Sequence, residues 1–176
     1  MSIVLINNLK PNTIKTKPLI IFITLFISCQ STPTKKVIHN QNSYTAKVIG
    51  ISDGDTVTVL KNKQQIKIRL AHIDCPEKRQ PFGTKAKQFV SDAIFGKMVT
   101  VVSDGTTDRW KRLIAVIKYD NNQNLNKNLV RNGLAMHFKR YSDDMSYDVL
   151  EQQAKQNKVG MWSQNKVIAP WDFRKQ

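Results

Sequence analysis

Residues 64–71 read Gln-Gln-Ile-Lys-Ile-Arg-Leu-Ala, and this alternation constrains the chain more than any other segment. Ile66, Ile68 and Leu70 fall on one side of an extended backbone, Lys67 and Arg69 on the other. Successive side chains of a strand point to opposite faces, so residues 65–71 form a half-buried strand with a cationic outer surface. Two β-branched-rich stretches precede it, 44–51 and 55–60, and Ser52-Asp53-Gly54 and Lys61-Asn62-Lys63 separate the three. Linkers this short join antiparallel neighbours.

After the third strand the period changes. Ala86, Phe89, Val90, Ala93 and Ile94 recur at helical spacing, with Gly96 as a stop. Residues 97–102 and 113–119 are two further strands. Residues 125–132 form a short helix closed by Gly133, and 146–158 a longer one closed near Gly160. The stripe of that last helix (Tyr147, Leu150, Ala154) is thin, which predicts packing on the outside of the sheet. Five short strands with a helix after the third predict a β-barrel plus helices (α+β): a five-stranded Greek-key barrel of OB type with three α-helices.

Ahead of this pattern lies a different kind of sequence. Lys15 and Lys17 precede an apolar run, residues 18–27, that ends Phe26-Ile27-Ser28-Cys29. A basic stretch, a short apolar run and a small residue make a secretory signal, and the run is too short to span a bilayer as a helix. Phe26-Ile27-Ser28-Cys29 resembles a bacterial lipobox with phenylalanine at the usual leucine position, which makes Cys29 the lipidated first residue of the mature protein. An ordinary cleaved signal and an uncleaved anchor are the alternatives. The organisation expected is a lipoprotein-type signal peptide at 1–28, a polar flexible tether at 29–43 and a folded domain at 44–176.

Charge narrows the partner. The 176 residues hold 28 Lys and Arg against 13 Asp and Glu, a net of +15. Residues 44–176 alone carry +10. Such a domain binds polyanions: nucleic acid, anionic lipid or acidic polysaccharide. With two cysteines, Cys29 and Cys75, neither a disulfide scaffold nor a four-cysteine zinc site is available.

Against that background the acids stand out. Asp55, Asp74 and Glu77 follow close on strand ends and could converge on a hard cation such as Ca²⁺, which prefers oxygen ligands. Asp53-Gly54 can equally be a plain turn, and Glu77 a solvated loop acid. Arg69 and Arg112 are of the type that neutralises a phosphodiester through paired hydrogen bonds, although surface arginines of a basic protein are usually solvated. His72, continuing the polar side of its strand, and His137 lack metal-ligand spacing and read as structural or solvated. Cys75 has no evident histidine–acid partnership that would make it a nucleophile, and Lys85 and Lys87 read as a solvated helix face.

Taken in order, Asp53-Gly54-Asp55-Thr56-Val57, the strand ending Arg69-Leu70, Ile73-Asp74-Cys75-Pro76-Glu77 and Thr107-Asp108-Arg109-Trp110-Lys111-Arg112 resemble the staphylococcal nuclease (thermonuclease) family. Asn132-Gly133-Leu134-Ala135 and Val159-Gly160-Met161-Trp162 look like its later motifs, so the resemblance runs from about Tyr44 to Trp162. It implies an OB barrel with three helices and a Ca²⁺-dependent endonuclease acting on DNA and RNA and leaving 3′-phosphates. It implies Asp55 and Asp74 as carboxylate ligands, with the backbone carbonyl of Cys75 completing the metal site where the family often has threonine. Glu77 matches the family's proposed general base, and Arg69 and Arg112 its phosphate-binding arginines. Trp110 replaces a tyrosine near the base or sugar; it can stack but cannot accept a hydrogen bond. Tyr141, in His137-Phe138-Lys139-Arg140-Tyr141, carries over as a nucleotide contact. The terminal Pro170-Trp171-Asp172-Phe173-Arg174 is similar to a tail of secreted bacterial relatives and receives no catalytic role.

These readings lead to an exported, membrane-anchored nuclease on the periplasmic or cell-surface side, or alternatively a secreted one, working as a monomer. The rival is a non-catalytic nucleic-acid-binding OB module. A binder does not need Arg69, Glu77 and Arg112 together. A third possibility, that the basic surface only rests on anionic lipid, leaves the ordered carboxylates without a purpose.

Overall fold

The computed structural model describes residues 42–176. The expected signal peptide, most of the expected tether and Cys29 lie outside the described residues. Among the described residues no helix is long and apolar enough to cross a membrane.

Five strands close into a barrel. They are β1 (Asn42–Ile51), β2 (Thr56–Lys61), β3 (Gln64–Leu70), β5 (Met98–Ser103) and β6 (Leu113–Tyr119). β1 is long enough to serve two neighbours. Its first half pairs with β5 and its second half with β2, with a bulge between Val48 and Gly50. A bulge bends and twists a strand, which lets one strand turn the corner of a closed sheet. β2 pairs with β3, β5 with β6, and the parallel pairing of β3 with β6 seals the barrel. This is the OB-type barrel with helices that the periodicity predicts. β1 starts at Asn42 rather than Tyr44 because Asn42 and Ser43, assigned to the tether, already pair with Ser103 and Val102.

The alternation in β3 holds. Ile68 and Leu70 are fully buried and Ile66 packs on the core, while Lys67 is exposed and Arg69 lies at the rim. Burying each such side chain is worth roughly 1.5–3 kcal/mol. Val48, Val57, Val59, Val99, Val101, Ala115 and Ile117 fill the rest of the interior. α1 (Gly83–Ile94) closes one end with Ala86, Val90 and Ile94, the stripe expected of it.

Beyond the barrel the chain makes β7 (Gln123–Asn124), α2 (Leu125–Arg131) and α3 (Met145–Gln156). A two-stranded pair joins β4 (Ile73–Asp74) to β8 (Met136–His137). The side chains of Asn124 and Asp144 cap α2 and α3 by accepting from Lys127 N–H and Ser146 N–H. α3 does not lie on the barrel sheet, as its thin stripe suggested. It packs on α2, β8 and the turn at Gly160–Ser163. Its inner face includes a buried acid, Glu151, which accepts from His137 N–H at 3.0 Å and pairs with Lys155 at 2.8 Å. A fourth helix, α4 (Pro170–Phe173), adds a single turn near the C-terminus.

Candidate active site

The turn between β1 and β2 sets the first acid. Asp53 Oδ1 accepts from the Asp55 N–H at 3.0 Å, so Asp53 is the turn residue that its Asp-Gly pair suggests. Gly54 has a different reason. A Cβ there would stand 2.7 Å from Ala86 Cβ and 3.0 Å from Cys75 Sγ. Only glycine lets the turn approach α1 and the segment after β4 this closely. The approach brings Asp55 Oδ2 within 2.8 Å of the Cys75 N–H.

Register sets the second group. Thr56 stands opposite Arg69 across β2 and β3, and Asp55 C=O accepts from Leu70 N–H at 2.8 Å. Arg69 is 14% exposed and thoroughly held. Its Nη1 donates to the carbonyls of Leu70 and Ile73, both at 3.0 Å. Its Nη2 lies 3.1 Å from Asp55 Oδ2 and 2.7 Å from Asp74 Oδ1. The two carboxylates thus converge on one nitrogen, although 19 residues separate them in sequence. Asp55 is 7% and Asp74 1% exposed.

Arg112 arrives from the other side of the seam. Because β3 and β6 are parallel neighbours with Leu113 opposite Ile68, the residue just before β6 falls level with Lys67 in the middle of β3. Arg112 Nε donates to Asp108 Oδ2 at 2.7 Å, and its Nη1 donates to Thr56 Oγ1 at 3.1 Å. The Thr56 hydroxyl is 3.3 Å from Asp55 Oδ1. Thr56 therefore joins Arg112 to Asp55 and Arg69, a link that sequence reasoning missed. Against the cost of partial burial, hydrogen bonds from the Arg112 backbone and guanidinium hold Asp108 below the usual carboxylate range. Trp110 is 62% exposed, with the Arg109 and Arg112 guanidiniums 3.9 and 4.9 Å from its ring. Lys67, Trp110 and Arg112 line an open recess beside it.

Glu77 occupies the loop between β4 and α1, and Gln80 braces that loop. Gln80 Oε1 accepts from Glu77 N–H at 3.1 Å, and its Nε2 donates to Ile168 C=O at 2.6 Å. Gly83, where α1 starts, leaves no room for a side chain: a Cβ would sit 1.9 Å from Glu77 O. The terminal segment, given no role from sequence, reaches this site. Arg174 Nη2 lies 2.6 Å from Asp74 Oδ2, and its Nη1 lies 2.6 Å from Glu77 Oε1. The one local hint was a cationic residue closing an aromatic tail. Nothing in it pointed at Asp74, 100 residues away.

The remaining assignments divide. Tyr141 is 69% exposed, edge-on to Phe138 at 4.9 Å and away from the carboxylates' hydrogen bonds. Cys75 packs its side chain inward, and burial pushes its thiol well up, so no thiolate is on offer. His72 does not continue its strand. β3 ends at Leu70, and His72 turns away with φ 69°. Its Nδ1 is 2.9 Å from Ser142 Oγ, and His137 Nε2 approaches the same hydroxyl at 3.0 Å. Both histidines are structural.

Among the described residues no group of three or more His, Cys, Asp or Glu side chains forms a metal cage. The expected ligands, two carboxylates and a backbone carbonyl, are all oxygen donors, which suit a hard cation. The state of Asp55 fits such an ion. Burial pushes its carboxyl up to about 7, although the Arg69 guanidinium pulls the other way. A divalent cation against Asp55 would restore the charged form.

A basic OB barrel whose rim sets fixed guanidiniums against buried carboxylates belongs to the class of nucleic-acid hydrolases. Comparison with known proteins supplies the particular family. The family described as "Staphylococcal nuclease homologue" matches residues 67–164. An "Uncharacterized endonuclease" of Haemophilus influenzae is 42% identical over 133 residues, covering 75% of this chain and 74% of that protein. The "Micrococcal nuclease" of Shigella flexneri is 34% identical over 143 residues, covering 75% and 81%. An "Uncharacterized endonuclease" of Escherichia coli O157:H7 is 34% identical over 128 residues, covering 73% and 83%. The chain belongs to the staphylococcal nuclease family and is a nuclease.

Proposed function

We propose that this nuclease is a Ca²⁺-dependent endonuclease that hydrolyses DNA and RNA to 3′-phosphates, is exported, and is held to a membrane through a lipid on Cys29. The observation that carries the catalytic reading is the continuous network Arg112–Thr56–Asp55–Arg69–Asp74, with Glu77 at its edge. Ca²⁺, held by Asp55, Asp74 and the Cys75 carbonyl, would supply positive charge to a phosphoryl oxygen when bound. Arg69, with its Nη1 and Nη2 hydrogens held by four acceptors, offers the phosphodiester its fixed charge and its remaining Nε–H. The half-exposed Glu77 carboxylate orients the attacking water and takes its proton. As the water oxygen bonds to phosphorus, the bond from phosphorus to the 5′-oxygen breaks. Arg112, set against Asp108 and Thr56, steadies the charge on that side. Trp110 and Tyr141, both exposed rings, offer stacking surfaces to the bases.

The test uses the full chain in mild detergent with single-stranded DNA and RNA, first in Ca²⁺ and then in excess chelator, followed by end-group analysis. Cleavage only with Ca²⁺, leaving 3′-phosphates, is expected. Undiminished cleavage in chelator overturns the ion, and 5′-phosphate ends overturn the product. Salt-sensitive binding without cleavage under any divalent ion favours the binding module. Glu77→Gln should lower turnover by about 10² with binding retained.

Residues 15–29 support the export reading. Cys29→Ala should release the protein from membranes, and failure of labelled fatty acid to enter the wild-type chain overturns the anchor. We propose a monomer as well, which light scattering checks.

A further inference from the structure

The carboxylate cluster carries one more cation than its family motifs account for. Asp74 has both oxygens engaged by guanidiniums: Oδ1 by Arg69 at 2.7 Å and Oδ2 by Arg174 at 2.6 Å. Arg174 also reaches Asp74 Oδ1 at 3.3 Å and bridges to Glu77 Oε1 at 2.6 Å. Its hydrogen bonds to Asp74, and then those to Glu77, hold it even more firmly protonated than an ordinary arginine.

The two arginines on Asp74 are held very differently. Arg69 sits within a barrel strand, 14% exposed, and its Nη1 is committed to two carbonyls. Arg174 is 42% exposed and stands just past the single turn of α4. The segment that delivers it is docked at specific points. The Trp171 ring stacks on Phe138 at 5.3 Å with 3° between planes, and Gln80 holds Ile168. A cation approaching Asp74 meets one guanidinium held also by two backbone carbonyls and Asp55, and one held only by Asp74 and Glu77.

We infer that Arg174 is the resident counter-cation of the Asp74–Glu77 pair and a determinant of the site's divalent-ion affinity, competing with the ion for Asp74. The inference rests on the Asp55–Asp74 pair being the cation site. It makes the terminal segment part of the active site. Arg174 neutralises the acids while the metal is absent and lowers the affinity when the metal comes. The sign follows from charge alone. Whether Arg174 swings away or stays beside the ion, a positive group within a few ångströms of a divalent cation weakens its binding. Partial exposure and salt screening reduce the effect without reversing it.

The experiment is calorimetric titration of the full chain in mild detergent with Ca²⁺ alone, without substrate, at constant ionic strength. Arg174→Gln is compared with the wild type and with Lys175→Gln, a neighbouring charge paired with Asp172 rather than with the cluster. Arg174→Gln should bind Ca²⁺ about tenfold more tightly, and Lys175→Gln should change affinity less than about twofold. A chain truncated after Phe173 provides a second variant that should behave as Arg174→Gln does. Melting curves in chelator check that each is folded, and Ca²⁺ should raise the Tm of Arg174→Gln by more than that of the wild type. Equal or weaker Ca²⁺ binding by folded Arg174→Gln and by the truncated chain overturns the inference and leaves the cation site standing. Absence of Ca²⁺ binding in every variant overturns the cation site, and the inference with it.

Discussion

Arg69 and Arg174 meet on the same carboxylate, and the regions they come from obey different rules. Arg69 belongs to the barrel. Its backbone pairs with β2 on one side and β6 on the other, and its side chain is fixed by four acceptors. Arg174 belongs to an appended segment docked through the Trp171–Phe138 stack, the Gln80–Ile168 hydrogen bond, the buried Pro170 and its own charge. The same functional group, within 3 Å of the same acid, is a fixture in one region and a replaceable partner in the other. The site therefore has a rigid half, made of Asp55, Thr56, Arg69 and Asp74, and an appended half. The appended half comprises the Glu77 loop, the loop bearing Trp110 and Arg112, and the C-terminal segment. Preorganisation lives in the first, and adjustment to ions and substrate in the second.

Substitutions can break this division, and the largest effect belongs in the rigid half. Arg69→Lys keeps the charge but cannot donate to two carbonyls and two carboxylates at once. Turnover should fall by about 10³, with a lowered Tm, in single-turnover assays and thermal melts. A loss under tenfold would show that charge, rather than the barrel-held fork, is what the site uses.

Gly83→Ala tests whether the Glu77 loop is separable from the barrel. The added Cβ must displace Glu77 O, 1.9 Å away, and the atoms nearest to it all belong to Pro76 and Glu77. Turnover should fall by about 10², close to the loss in Glu77→Gln. A Tm near the wild-type value would sharpen the division; global unfolding would erase it. Trp110→Ala comes next. It removes an exposed stacking surface worth about 1–3 kcal/mol per base. KM for single strands should rise about tenfold with kcat nearly unchanged.

The smallest effect is on stability. Folding raises the Asp55 carboxyl from its ordinary 3.8 to about 7, so the folded state holds a proton that the unfolded state has released. The stability this contributes is full below about pH 3.8 and is lost as pH rises through about 7. In chelator, Asp55→Asn should therefore flatten the wild-type decline in Tm over that range, by roughly 5 °C. An unchanged slope would mean that the rigid half does not strain its own carboxylate.

The division also explains which parts were legible from residues alone. The barrel could be read because its signals are local. Ile66, Ile68 and Leu70 alternate, and Ala86, Val90 and Ile94 share one helical face. The core then does what each short stretch prefers. Asp55, Arg69, Asp74, Glu77 and Arg112, which the structure brings together, were singled out because the motifs that hold them resemble those of the family. His72 was misplaced because a strand's end depends on its neighbours. The chain turns there to pair β4 with β8 and to set the ring on Ser142. α3 was misplaced because its stripe did not count Glu151, a buried acid that accepts from the His137 N–H and pairs with Lys155.

By itself, the sequence determined the period of the main elements and the strongly basic charge of the chain. These follow from backbone geometry and residue chemistry over a few neighbouring positions. Only the tertiary structure decided how the groups of the site meet. Gly54 admits the Asp55 turn against Cys75, and Thr56 joins Arg112 to Asp55. Asn126, buried beneath the seam of β3 and β6, donates to Ala71 C=O and accepts from Ile117 N–H. Arg174 crosses 100 positions to neutralise Asp74. Hydrogen bonds and ion pairs at such separations have no signature in local sequence, because their geometry exists only once the barrel has closed.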